Sequence, residues 1–389
     1  MTTDWRTRAA AVIPGGASTG SKRPDALFGP GMDGPTHITD AVGCRVRTAA
    51  GDWLIDLGAA LGAVSLGYAD PEITDAVTRA AQRGPVAALP YTDEVTLAER
   101  LQNFLPCAEQ TRFFKSGAEA CAAAVRIART HTGRYRVLGS GYFGWLDWWS
   151  EAAGVPAGAH ADYTHLPFND RDAWTSALTA AGGALAAVMI EPLVEVLADV
   201  DWLHDLRAHC DRVGAVLIFD EVKTGFRLHR GGAQARLGVT PDLSAIGKAM
   251  ANGYPLGAVV GRAGVMAAAE RTWISSTLAT ELVAIAASHA VLDRHDRHDV
   301  CGQLASTGHA LRAAIEGAAA HSRMPLQTSG HDTMFIIRWP DDATQDSMLS
   351  RLRSAGVLVK RGPYQFPMCA MQPADIAAVG DAFHWALAH

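Results

Sequence analysis

The sequence predicts an α/β protein built on a mainly parallel sheet, and three observations support this. Short apolar segments alternate with helical segments through the middle of the chain. The strand candidates are 111–115, 136–139, 186–190 and 215–219, with helices at 118–131, 171–181 and 202–213. The most distinctive short motifs follow these strands or begin a helix, where ligands bind in parallel sheets. The final segment changes pattern and predicts a separate small unit.

The composition is that of an ordinary globular protein. The chain has 389 residues, of which 49% are hydrophobic and 19% charged, with a net charge of −6. This length exceeds a single simple core and predicts more than one structural unit. A mildly acidic chain without a basic stripe does not favour nucleic acid as a partner. No apolar run is long enough for a membrane span, so no membrane association is expected.

Cysteine usage and the N-terminus point to the cytoplasm. The first residues lack the apolar stretch of a secretory signal. The six cysteines are scattered without a paired spacing, which favours free thiols over a disulfide framework or a metal site. They are Cys44, Cys107, Cys121, Cys210, Cys301 and Cys369.

The two ends of the chain predict a smaller α+β part. Residues 45–48 and 53–56 read as a hairpin, and residues 71–84 as a helix. Residues 281–321 read as helical, followed by strands at 334–338 and 357–360 and helices at 344–354 and 373–388. We therefore expect an N-terminal segment, 1–60, that contributes to the small domain and to dimer contacts. The large domain is predicted at 61–290 and the C-terminal small domain at 291–389.

The first motif is Ser116-Gly117-Ala118, between a predicted strand and a helix. Small residues at a helix N-terminus let backbone N–H groups approach a phosphate, and the helix dipole favours the anion. The alternative is a structural one, in which Ser116 is an N-cap and Gly117 lies in a tight turn.

The second and third motifs are an acid and a lysine that each follow an apolar strand. Asp220 ends the run Leu217-Ile218-Phe219, where a carboxylate points into the ligand crevice of a parallel sheet. Lys248 follows an apolar strand and is flanked by small residues, so partial desolvation would make its amine a nucleophile. The structural alternatives are a helix cap or metal ligand for Asp220 and a surface position for Lys248.

The fourth motif is Gly141-Tyr142-Phe143-Gly144, an aromatic pair that would cover a flat ring or pack in the core. The order of the four motifs along the chain suits pyridoxal 5′-phosphate (PLP). This cofactor needs a phosphate site, a stacking aromatic, a carboxylate that keeps the ring nitrogen protonated and a lysine for a Schiff base. No metal is expected.

With these motifs the chain resembles class III aminotransferases of PLP fold type I, in the glutamate-1-semialdehyde aminomutase-like branch. The resemblance covers nearly the whole chain from about Ile13. The motifs that carry it are Ile13-Pro14-Gly15-Gly16, Ser21-Lys22-Arg23-Pro24-Asp25, Leu66-Gly67-Tyr68-Ala69-Asp70-Pro71, Ser116-Gly117-Ala118-Glu119-Ala120, Phe219-Asp220-Glu221-Val222 with Thr224-Gly225-Phe226-Arg227, and Gly247-Lys248-Ala249-Met250-Ala251-Asn252-Gly253-Tyr254-Pro255. It implies a large domain with a mainly parallel seven-stranded sheet and a small α+β domain.

The resemblance also implies a role for individual residues. Lys248 would carry PLP as a Schiff base, and Asp220 would pair with the ring nitrogen. The other implied cofactor contacts are Ser116, Gly117, Ala118, Tyr142, Phe143, Glu191, Val222 and Thr277. Thr277 would reach the phosphate of the neighbouring subunit, which implies a homodimer with shared sites. Lys22, Arg23 and Trp145 are candidates for substrate contacts.

Three departures from the family pattern concern the substrate side. Phe143 stands where the family usually has histidine, and a usual histidine is missing from Met368-Cys369-Ala370-Met371-Gln372. The stretch from Glu191 to Asp220 lacks the Gly/Pro-rich loop of the aminomutase.

The implied activity is a PLP-dependent transamination between an amine donor and a carbonyl acceptor, in a natural-product or sugar pathway. The first alternative is an aminomutase, epimerase or racemase on the same scaffold. The second alternative is a non-catalytic family member.

Overall fold

The computed structural model describes residues 4–31, 34–322 and 324–389. The chain divides into two compact units, a small unit of Met1–Pro71 with Gly302–His389 and a large unit of Glu72–Cys301. The sequence boundaries at 60 and 290 therefore move to 71 and 301. The N-terminal segment belongs to the same unit as the C-terminal segment.

The strands among the described residues are numbered in chain order. They are β1 (Ile38–Val42), β2 (Arg45–Thr48), β3 (Trp53–Asp56), β4 (Gln110–Phe114), β5 (Arg136–Ser140), β6 (Tyr163–His165), β7 (Leu185–Ile190), β8 (Leu193–Val194), β9 (Val196–Leu197), β10 (Val216–Asp220), β11 (Leu243–Ile246), β12 (Gly257–Gly261), β13 (Gln327–His331), β14 (Met334–Arg338) and β15 (Val357–Leu358).

The α-helices among the described residues are numbered in the same way. They are α1 (Trp5–Val12), α2 (Pro24–Phe28), α3 (Ala59–Gly62), α4 (Pro71–Gln82), α5 (Thr92–Phe104), α6 (Gly117–Thr132), α7 (Arg171–Ala181), α8 (Val200–Val213), α9 (Gly232–Leu237), α10 (Ala263–Met266), α11 (Leu282–Arg297), α12 (Val300–Ser322), α13 (Asp342–Ser354) and α14 (Pro373–Ala388). Among the described residues, no helix is both long enough and apolar enough to cross a membrane.

The large unit is organised around a seven-stranded sheet of order β4-β12-β11-β10-β7-β5-β6. The strands β11, β10, β7, β5 and β6 run parallel, and β12 pairs antiparallel with both β11 and β4. The predicted α/β fold with a mainly parallel sheet is therefore confirmed. β12 lies outside the predicted strands.

The sheet is buried on both faces, as a parallel sheet covered by helices must be. Alternate residues of β7 and β10 point into two different apolar clusters. Met189 and Ile218 lie in the cluster that includes α6, whereas Val188 and Leu217 lie in the cluster built on α7 and α8. Trp174 and Trp202 meet edge to face in the second cluster, with ring centroids 5.5 Å apart. Burial on both faces leaves the strand ends as the places where polar side chains reach open space.

The small unit has its own sheets. β1, β2, β3 and β15 form a four-stranded sheet in which β15 runs parallel to β3, and β13 pairs with β14 as a hairpin. The predicted hairpin of residues 45–48 and 53–56 is present as β2 and β3.

The region 281–321, predicted to be helical, is helical in the structure and forms two helices, α11 and α12. The chain becomes extended at His298, with φ −141° and ψ 150°, which ends α11. The break lies in a stretch rich in His and Asp, and Asp299, a residue type favoured at helix N-caps, directly precedes α12. Glu281 caps α11 by accepting hydrogen bonds from the N–H groups of Val283 and Ala284.

The loop after β10 is anchored by Glu221, which is fully buried. Its carboxylate accepts hydrogen bonds from the backbone N–H of Ala233, from the Gln234 Nε2 at 3.0 Å and from the Thr224 hydroxyl at 3.2 Å. Burial raises the pKa of Glu221, and these donors oppose that rise. Glu221 therefore ties the residues that follow Asp220 to the start of α9.

We expect Glu221→Ala to lower the free energy of unfolding by about 3 kcal/mol, because it leaves several buried donors without acceptors. Glu221→Gln keeps two of the acceptor positions and should cost less. Urea denaturation followed by tryptophan fluorescence measures both. Glu99→Ala, at an exposed position of α5, is the matched control. An equal effect of the control and the Glu221 variants would contradict the anchoring role.

Candidate active site

Four adjacent parallel strands bring candidate residues to one edge of the sheet. Asp220 ends β10, Glu191 follows β7, Tyr142 follows β5 after one glycine, and Lys248 follows β11 after one glycine. Phe219 is in register with Ile190, so Asp220 and Glu191 lie at the same level on neighbouring strands. Carboxyl ends of parallel strands are the usual ligand position, and the topology collects these residues there.

Lys248 is partly buried and begins a short 3-10 turn. Its φ of 45° is in the left-handed region, which is uncommon for a residue with a side chain and clusters at functional sites. Burial lowers the pKa of its amine, and the nearby carboxylates of Asp220 and Glu191 oppose that shift. A desolvated lysine has a larger neutral fraction, which makes it a better nucleophile.

Asp220 is 4% exposed. The Val222 N–H donates to its Oδ1 at 3.0 Å, and the Cys121 thiol donates to its Oδ2 at 3.4 Å. Burial, followed by the charge of Glu191, raises the pKa of this carboxyl group. No described residue forms an ion pair with Asp220 within 4.0 Å. A buried carboxylate with this surrounding is stabilised in its charged form when a cation lies beside it.

The N-terminus of α6 has the features of an anion site. Ser116 caps the helix, because its Oγ accepts from the Glu119 N–H at 3.2 Å and donates to the Glu119 carboxylate at 3.0 Å. The N–H groups of Gly117 and Ala118 are the first two of the helix, so no preceding turn supplies their acceptors. A Cβ on residue 117 would lie 2.6 Å from Val222, which explains the glycine.

The segment after β5 is packed tightly against its neighbours. The Tyr142 N–H donates to the Glu191 carboxylate at 3.2 Å. The Tyr142 side chain is 67% exposed and meets Trp149 edge to face at 5.5 Å. A Cβ on Gly141 would lie 2.5 Å from the Glu191 Cβ, and a Cβ on Gly144 would clash with Ala118. The two glycines thus hold Tyr142 close to both Glu191 and the start of α6.

Phe143 requires a correction. Its side chain is fully buried and packs between Trp148 at 5.7 Å and Tyr163 at 6.3 Å. A side chain without accessible surface cannot contact a bound ligand, so Phe143 belongs to the core rather than to the cofactor contacts. Tyr142 is exposed and the next residue, Phe143, is buried, and a sequence alone does not reveal which of two adjacent aromatic residues faces the solvent.

Two neighbours of the site lay outside the sequence interpretation. Lys223 forms an ion pair with Glu191, and both side chains are about one tenth exposed, at 11% and 10%. Cys121 lies one helical turn after Gly117 and is fully buried. The sequence signal that could have placed Cys121 near the site is its position four residues after Gly117, because residues four apart lie on the same face of a helix.

The remaining candidates are exposed residues of irregular segments in the large unit or residues of the small unit. Thr277 is exposed, in an irregular segment that precedes α11. Trp145 is 74% exposed on the segment after β5. Lys22 and Arg23 are exposed residues of the small unit.

The described residues fit PLP group by group. The buried carboxylate of Asp220, which forms no ion pair with a described residue, suits a protonated ring nitrogen, and the N–H groups of Gly117 and Ala118 suit a phosphate. The Lys248 amine suits the aldehyde. The arrangement can hold a planar anionic cofactor and supply one movable proton.

Comparison with known proteins agrees with this chemistry. The family model "Aminotransferase class-III" matches residues 30–140 and 150–387. The 2'-deamino-2'-hydroxyneamine transaminase of Streptomyces kanamyceticus is 35% identical over 361 residues, which cover 90% of this chain and 88% of that protein. The glutamate-1-semialdehyde 2,1-aminomutase of Nitratidesulfovibrio vulgaris strain DP4 is 32% identical over 412 residues, covering 96% of each.

A solved structure shows the same fold. The PLP internal aldimine form of the FumI protein of Sphingopyxis sp. MTA144 superposes with a TM-score of 0.94 at 29% identity. The match covers 100% of this chain and 95% of that one. The family match over most of the chain shows that this protein belongs to the class III aminotransferases, which are PLP-dependent enzymes.

Proposed function

We propose that this transaminase carries PLP on Lys248 and moves an amino group from an amine donor to a carbonyl acceptor at the edge formed by β11, β10, β7 and β5. The observation that carries the residue assignment is that a desolvated lysine and a buried carboxylate lie at the ends of two neighbouring strands, and that no described residue forms an ion pair with this carboxylate within 4.0 Å. These two groups are the minimum that the cofactor needs from the protein.

PLP, when bound, supplies a ring that accepts the electron pair left on the substrate carbon after proton removal. The Nζ of Lys248 holds the cofactor before substrate arrives. Once the donor amine displaces it, the free Nζ would take the proton from the amine-bearing carbon of the donor and deliver it to the cofactor carbon on the other side of the nitrogen, a 1,3-shift. Burial lowers the pKa of this amine, which favours its basic form.

Asp220 holds the proton on the ring nitrogen. The Val222 N–H and the Cys121 thiol fix the two carboxylate oxygens, so the charge is oriented before the cofactor binds. Preorganised charge of this kind avoids reorganisation during the reaction.

The other assignments concern binding. The N–H groups of Gly117 and Ala118 receive the phosphate, and Ser116 sets the geometry of the helix start. Val222, which packs against Gly117, is proposed for one face of the ring and Tyr142 for the other. Glu191 contacts the Tyr142 N–H and so fixes the segment that carries the stacking side chain.

The proposed substrates are an amine donor and a carbonyl acceptor of a sugar or natural-product pathway in the cytoplasm. The exposed rings of Tyr142 and Trp145 offer flat apolar surface beside the site, which suits the carbon face of a sugar ring. The relative named 2'-deamino-2'-hydroxyneamine transaminase supports this class of substrate. Lys22 and Arg23 remain proposed contacts for a substrate anion.

Isomerisation is the second candidate reaction. The relatives include glutamate-1-semialdehyde 2,1-aminomutases, and the same proton transfer by Lys248 would serve both reactions. Transamination is favoured because the family and the transaminase-named relatives carry that activity.

We also propose a homodimer in which Thr277 reaches the phosphate of the neighbouring site. The segment around it exposes Trp273 at 83% and Leu278 at 53%. Exposed large apolar side chains close together are typical of a surface that another protein covers.

Transamination predicts a stoichiometry. With a donor amine and no acceptor, the PLP-loaded protein should release one equivalent of carbonyl product per site and then stop, and adding an acceptor should restart turnover. Mass spectrometry of the products measures this. Lys248→Ala should release none. An isomerisation would rearrange the amine without releasing any carbonyl compound.

Asp220→Asn should lower kcat/KM by about 100- to 1000-fold, because a neutral amide no longer stabilises a protonated ring nitrogen. The matched control is Asp242→Asn, which alters a buried carboxylate at the opposite end of β11 that pairs with Arg207 at 2.8 Å. The control should lower stability and leave the near-visible spectrum unchanged. Equal kinetic losses in the two variants would contradict the assignment of Asp220.

Shared sites predict complementation between two inactive variants. Each Lys248→Ala site lacks the lysine, and each Thr277→Ala site should bind PLP about tenfold more weakly through the loss of a charge-assisted hydrogen bond. Mixed dimers would contain one site with both native residues. Mixing the two variants under subunit exchange, at PLP concentrations that leave Thr277→Ala empty, should restore activity; no recovery in verified mixed dimers would exclude sharing.

A further inference from the structure

The ion pair of Lys223 and Glu191 lies beside the reacting groups, and the proposed reaction gives Lys223 no task. Lys223 is in the loop after β10, and Glu191 follows β7. The two side chains are 11% and 10% exposed, so the pair is largely shielded from water. A shielded pair interacts more strongly with neighbouring charges than a surface pair does.

The charged groups near Lys248 are Asp220, which ends β10, Glu191, which follows β7, and Lys223, in the loop after β10. Cys121, on α6, is a neutral thiol, because burial raises its pKa. Asp220 and Glu191 favour the protonated form of the Lys248 amine, whereas Lys223 disfavours it. Glu191 also favours the protonated form of Asp220.

Without Lys223, the carboxylates of Asp220 and Glu191, at neighbouring strand ends, would compete for the positive charge of the protonated cofactor ring. Like charges held close together cannot both remain ionised without a cost. The ring-nitrogen role needs Asp220 in its charged form. A cation paired with Glu191 removes this competition while keeping the acceptor that holds the Tyr142 N–H.

We propose that Lys223 is a positioning residue that neutralises Glu191, so that Asp220 is the carboxylate left to pair with the cofactor ring. The inference deepens the proposed function and rests on the assignment of Lys248 and Asp220. Lys223 acts through Glu191, without contact to the substrate.

The test uses Lys223→Met, Glu191→Gln and the double variant, each in the full-length PLP-loaded protein without substrate. The measurement is the pKa of the Lys248 nitrogen, read from the near-visible absorbance as a function of pH. Removing the cation should raise this pKa by about one unit, and removing the anion should lower it by about one unit. The double variant should return close to the native value, and Lys223→Arg should match the native protein.

The matched control is Arg207→Met, which breaks another largely buried ion pair of the large unit, with Asp242. It should lower the thermal midpoint without changing the absorbance titration. If Lys223→Met and Glu191→Gln shift the titration in the same direction, or leave it unchanged while folded, the inference is overturned.

A second readout separates this inference from the proposed function. In the PLP-free protein, the pKa of the Lys248 amine can be measured from the pH dependence of its chemical labelling, followed by peptide mass spectrometry. Across the variants, this pKa should shift in the same directions as the pKa from the absorbance titration. If the native protein takes up no PLP on Lys248, the proposed function fails, and the labelling profile still decides the charge balance. If PLP binds normally and the labelling and absorbance profiles coincide for all variants, only the role of Lys223 fails.

Discussion

The burial of Asp220 is the constraint on which the active site depends. A carboxylate removed from water is unfavourable unless donors or cations compensate it. Here the Val222 N–H and the Cys121 thiol supply part of the compensation, and no described residue supplies an ion pair. In the proposed function, a protonated ring nitrogen supplies the missing compensation and gains binding energy from it. A more completely satisfied Asp220 would have less to gain from the cofactor.

The sheet imposes this situation through its geometry. Strands β7 and β10 are buried on both faces, so their first polar residues appear where the strands end. Adjacent parallel strands end at the same edge of the sheet, which places Glu191 next to Asp220. This proximity brings two carboxylates together despite their mutual repulsion. Lys223 forms an ion pair with Glu191, and Glu191 accepts a hydrogen bond from the Tyr142 N–H. In the proposed function, this leaves Asp220 as the acid for the cofactor.

Close packing fixes the distances within the site. Glycines at 117, 141 and 144 stand where a Cβ would collide with Val222, Glu191 or Ala118. The chain segments that carry the phosphate site and the stacking aromatic are thereby pressed against each other. Phe143 packs with Trp148 and Tyr163 in an aromatic cluster. This packing role differs from that of a polar side chain that would face the substrate.

The sequence by itself determined the fold class and the main candidates at the cofactor site. The apolar runs before Asp220 and Lys248, and the small residues that begin α6, are local patterns, and the strand-helix alternation around them dictates a parallel sheet. Their order along the chain identified the family, which the comparisons confirmed.

Only the tertiary structure decided which side chains face each other. Phe143 is buried by its packing with Trp148 and Tyr163, the pairing of Lys223 with Glu191 joins residues from different strand ends, and the antiparallel β12 inserts between β4 and β11. These features arise from contacts between segments distant in sequence, whose energies depend on packing and shared burial rather than on the residues that flank them.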